Sequence, residues 1–156
     1  MGRLGRIAGA VIMALGVLAI VIGAVFVFQG FSKNNLIVER MQVEKVSLAI
    51  DPNDPNTLTQ IQNGAQAQAA ADVISAHRRA IAPTYQDLLA GGRFNSNNST
   101  HLTYAQAMNL ENYLYLAVAA FGLIQVVLGA GAFMVITGIA LGLTGLVLLR
   151  LPAKTA

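Results

Sequence analysis

The side chains in this sequence best suited to metal chemistry are His77 and His101. With a carboxylate such as Asp72 or Glu111 they would complete a two-histidine, one-carboxylate iron site, in which three donors hold one face of the metal and leave the other open. That chemistry requires the donors to converge, and nothing in their spacing demands it. His77 and His101 are therefore candidate metal ligands without a motif. Asp51, Asn53 and Asp54 raise calcium, but their loop lacks the glycine and the distal glutamate of an EF-hand. The chain has no cysteine, which removes disulfides, thiolate nucleophiles and cysteine metal sites. Its serines carry no GxSxG elbow and its glycines no phosphate-loop lysine. No catalytic residue and no cofactor are expected, and an enzyme is the least favoured class.

His77 is followed by Arg78 and Arg79, a basic cluster on an expected helix. A solvated surface is the simplest reading of it. Contact of Arg78 and Arg79 with anionic lipid or a partner protein is the functional one.

The elements that position these residues are dominated by hydrocarbon. Of 156 residues, 55% are apolar and 11% charged, where an average soluble chain has about 25% charged. All the acids lie between Glu39 and Glu111, while Arg3, Arg6, Arg150 and Lys154 sit at the two ends. Bases flanking apolar spans mark the cytoplasmic side. Both termini, 1–6 and 150–156, are expected in the cytoplasm of a cell with the chain in its plasma membrane, and the middle outside. The net charge of +3 forms no stripe that would suit nucleic acid.

Residues 7–30 form the first expected transmembrane helix. Ile7 to Phe28 carries no charge and would rise about 33 Å, close to a ~30 Å hydrocarbon core. A cleaved signal peptide has a shorter apolar core and a small-residue cleavage site, so an uncleaved anchor is preferred. Between Glu111 and Arg150 every residue is uncharged. As one helix this stretch would measure about 57 Å, so the preferred reading gives an outward extension over 112–127 and a transmembrane helix over 128–149. A hairpin turning at Gly129-Ala130-Gly131 is the alternative.

Glycine repeats every seventh residue in both stretches, as Gly9, Gly16 and Gly23 and as Gly131, Gly138 and Gly145. A seven-residue repeat keeps one seam of a helix facing a partner. Hydrocarbon gives helices no hydrophobic reason to associate, so close contact at small residues takes over. Run antiparallel, the two helices would place Gly9 near Gly145, Gly16 near Gly138 and Gly23 near Gly131. Gly138 and Gly142 also form a GxxxG, a candidate contact with another subunit.

The extracytoplasmic domain is expected over 31–111. Alternating apolar residues suggest strands at about 36–50, ended by the Asp-Pro-Asn turns. An alanine-rich helix is expected at about 65–82, with Val73, Ile74, Ala80 and Ile81 on its apolar face. Thr84 and Asp87 form a capping box for a short helix at 84–90. A further helix starts near Leu102–Ala105 and runs into the second span. The fold class is mainly α: two transmembrane helices packed antiparallel, with a small α+β domain inserted between them.

A short basic start, a glycine-rich span, Ala71-Asp72-Val73-Ile74-Ser75-Ala76-His77, Thr84-Tyr85 and a long second span occur in that order. This resembles an uncharacterised family of small bacterial two-span integral membrane proteins, some labelled aromatic ring-opening dioxygenase. The resemblance covers most of the chain. It implies the topology and leaves the function open, and any cysteine pair of such relatives has no counterpart here. The expected function is a structural or accessory subunit of a membrane complex or homo-oligomer, with the lipid bilayer and another membrane protein, or itself, as partners. The alternative is an extracytoplasmic sensor or ligand-binding module acting through a membrane partner. A metal-dependent enzyme using His77 and His101 comes third.

Overall fold

The computed structural model describes residues 3–44, 47–51, 53–54 and 56–150. Lys45 and Val46 of the expected strand, both prolines of the Asp-Pro-Asn turns, and the end segment carrying Lys154 lie outside the described residues. The elements are α1 (Arg3–Val43), β1 (Ser47–Ala49), β2 (Leu58–Gln60), α2 (Gly64–Ile81), α3 (Tyr85–Leu89) and α4 (Ser99–Arg150). The chain is mainly α, with two long apolar helices packed together and a central helix and small hairpin between them in sequence. Both α1 and α4 are long and apolar enough to cross a membrane.

The chain divides into two compact units, one holding α1 up to Asn34 with α4 from Ile124, the other Asn35–Leu123. In the first, α1 and α4 meet in opposed directions, Gly9 against Gly145, Gly16 against Gly138 and Gly23 against Gly131.

In the second unit α2 lies on the N-terminal part of α4. Ile61, Ala67, Ala70, Ala71 and Leu114 form the core, with Met41, Leu48, Ile50 and Ile74 packed against it. The cap of α2 explains its start. The Asn63 side chain accepts from the Gln66 N–H at 2.9 Å, and the Gln66 side chain reaches back to accept from the Gln62 N–H at 2.8 Å. These contacts satisfy donors that the first turn of a helix leaves orphaned. Ala82 is extended, as a residue before proline prefers, and α2 stops there. The capping box of α3 is present: Thr84 accepts from the Asp87 N–H and Asp87 accepts from the Thr84 N–H.

Three local expectations are corrected. Residues 36–43 are the last turns of α1 and no strand. Extending a helix already nucleated adds one hydrogen bond per residue at no new nucleation cost, which outweighs the weak strand preference of Ile37 and Val38. The strand that does form, β1, pairs antiparallel with β2, Leu48 opposite Thr59. Second, α4 begins at Ser99, because Asn98 caps it by accepting from the Thr100 N–H at 2.9 Å. Third, the buried stripe of α2 is Ala67, Ala70, Ala71, Val73 and Ser75, while Ala80 and Ile81 are exposed. Alanine has only a methyl group to hold α2 away from α4, so small side chains form most of the contact.

Candidate functional site

The first unit presents a seam without titratable groups. A Cβ on Gly16 would lie 2.6 Å from the Gly138 carbonyl and 2.6 Å from the Gly142 nitrogen; one on Gly23 would lie 2.6 Å from the Gly131 carbonyl. One on Gly138 would meet the Gly16 carbonyl at 2.6 Å, and one on Gly145 the Gly9 carbonyl at 2.7 Å. Real Cβ atoms essentially never come so close to backbone, so each of these positions admits only glycine without a shift of the facing helix. Gly9 is looser, at 3.0 Å from the Gly145 carbonyl. Gly142 is different: its own Cβ direction opens onto empty space, although its backbone lies against Gly16. Within the GxxxG, Gly138 thus packs on α1 of the same chain, while the Cβ direction of Gly142 stays open.

The second unit holds the chemistry. From α2, Arg78 reaches α4 and donates through Nε to Glu111 Oε2 at 2.6 Å, through Nη2 to Glu111 Oε1 at 3.4 Å, and through Nη1 to the Tyr104 hydroxyl at 2.5 Å. Both charged side chains are nearly buried, at 12% and 10% exposure, and Tyr104 is wholly so. An arginine fork against a carboxylate is the strong form of an ion pair. The hydrogen bond from Arg78 holds the Glu111 carboxyl below its usual range despite the burial that opposes this, and a hydrogen bond from Ser75 adds to it. The same bond raises Arg78.

The expectation that Arg78 lies on a solvated or partner-facing surface is thus corrected. It follows Ala71 by seven residues and Ile74 by four, on the stripe that α2 turns to α4. Arg79, one residue on, is exposed. The signal that reading from sequence missed is Glu111, an acid at the edge of a long apolar run and one heptad after Tyr104. Such a group needs a cation to be buried at all.

Beside the pair lies a groove of about 370 Å³, lined by Arg78, Arg79, Pro83, Thr84, Tyr85, Tyr104, Met108, Glu111 and Asn112. The ring of Tyr85 stands 6.3 Å from that of Tyr104.

The histidines do not meet in a ligand cluster. His77 is exposed on α2. His101 Nδ1 accepts from the Asn95 N–H at 3.1 Å, and its ring lies 5.6 Å from Phe94, which ties down the loop before α4. Among the described residues no group of three or more metal-ligating side chains converges. Asp51 and Asp54 serve turn geometry instead, accepting from the Asn53 N–H and the Thr57 hydroxyl.

No family model matches the chain, and no curated protein or solved structure is significantly similar to it.

Proposed function

We propose that this chain is a non-enzymatic integral membrane protein of the small bacterial two-span type, serving as a structural or accessory subunit of a membrane complex or homo-oligomer. In this reading α1 and α4 cross the plasma membrane, both ends are cytoplasmic and residues 31–111 form the extracytoplasmic domain. The observation that carries it is the outer surface left once the glycine seam closes. Val11, Leu15, Leu18 and Val25 on α1, and Phe133, Ile136 and Leu143 on α4, are each half exposed or more. The core helix of a soluble protein would bury such residues. Left in water they would forfeit about 25 cal/mol for each Å² of apolar surface, and continuous apolar surface of this kind marks a membrane or protein contact. Lipid, or the helices of another membrane protein, supplies the cover.

Purification in gentle detergent followed by native mass spectrometry tests the subunit role. A defined oligomer or one recurrent membrane protein at fixed stoichiometry is expected. A chain that stays solitary there, and that no crosslinker captures in intact membranes, overturns it. The groove beside Arg78 and Glu111 favours one second reading, a ligand-binding module that acts through a membrane partner.

A further inference from the structure

The geometry points to a specific ligand class for that groove: a small monocarboxylate with an apolar body, its carboxylate held by Arg79 and Asn112. The inference rests on the ligand-binding reading and is independent of the subunit reading. Its first support is charge. The groove is lined by two arginines and one acid. Arg78 and Glu111 neutralise each other through Nε and Nη2, the third guanidinium nitrogen donates to the Tyr104 hydroxyl, and theirs is the single ion pair among the described residues. The lining therefore carries a net charge of +1, with Arg79 exposed and outside the fork. The neighbouring acid, Asp87, is engaged by the Thr84 N–H and hydroxyl and so is turned toward its own helix start.

The second support is shape and rigidity. The floor is set by Tyr104, fixed beneath Arg78 both by its hydroxyl and by the guanidinium 5.1 Å over its ring. Pro83, Tyr85 and Met108 supply apolar wall, and Asn112 an amide. An anion with no apolar part would leave that wall wet, and a neutral apolar molecule would gain nothing from the Arg79 charge. A planar guanidinium fits a carboxylate bidentately. The volume lies at the small end of ligand pockets, about 300–1,000 Å³.

The test uses the full chain in nanodiscs of zwitterionic lipid and fluorine NMR of two probes, trifluorobutanoate and its uncharged amide. The acid is expected to bind about tenfold more tightly than the amide, the worth of one charge-assisted hydrogen-bonded contact. Arg79→Gln should abolish that preference while leaving the amide unchanged, and Arg79→Lys should restore part of it. Tyr85→Ala should weaken both probes. Equal binding of acid and amide, or no effect of Arg79→Gln, overturns the carboxylate assignment and leaves a ligand site standing. Binding of neither probe overturns the site itself.

Discussion

Arg78 and Glu111 are worth more as a pair than either is alone. Truncating Glu111 to alanine would leave a buried guanidinium without its carboxylate, a loss of about 3–5 kcal/mol. The double change Arg78→Met with Glu111→Leu removes both charges and should cost less than either single change, which thermal unfolding of the full chain in detergent would read. Acid tests the same contact. The Glu111 carboxyl is depressed in the folded chain, below the ~4.3 of an unperturbed glutamate. Its contribution is therefore fully present above that ordinary value and is lost as pH falls through the lower folded one. Glu111→Gln should remove this part of the acid sensitivity. At the end of α3, Ala90 sits in the left-handed region at φ 47°, where a Cβ is unwelcome. Ala90→Gly should stabilise the second unit by about 0.5–1 kcal/mol, seen as slower amide exchange in α3.

Between helices, the seam makes a sharper demand. Any side chain on Gly16 or Gly138 would overlap backbone of the other helix, so Gly16→Leu should pry α1 from α4 and lower the thermal midpoint in detergent. Gly129 has nothing near its Cβ direction, and Gly129→Ala should leave the pair intact. Equal tolerance of both changes would show that the helices do not meet at these glycines. The contact register was legible in the sequence because an approach this close to the backbone of the other helix can be made by one residue type only, and its period names the partner. The ion pair was not. Helix α2 carries apolar residues on more than one side, and only the cap at Asn63 and the alanine contact with α4 decide that Arg78 faces inward and Ile81 outward. Residues 36–43 misled for a related reason: β-branched residues favour strand only slightly, and a helix arriving with its hydrogen bonds already made carries them along.

Across the whole molecule, the opposed helices fix one consequence. Because Gly9 meets Gly145, the Arg6 and Arg150 ends of α1 and α4 lie at the same end of the pair. A bilayer crossed by that pair must then have both of these ends on one side. In the proposed topology that side is the cytoplasmic one, because basic residues flanking apolar spans resist translocation. The absence of cysteine lets single substitutions report without background. Leu4→Cys, highly exposed at the start of α1, and Thr155→Cys near the other terminus should react with an impermeant maleimide only after the cells are opened. Asn97→Cys, in the exposed loop before α4, should react in intact cells. Labelling of Leu4→Cys and Thr155→Cys from opposite sides would mean that one helix does not cross. The closed glycine seam would then have to form outside a bilayer, where the half-exposed valines, leucines and phenylalanines of its outer faces would lack any cover but water.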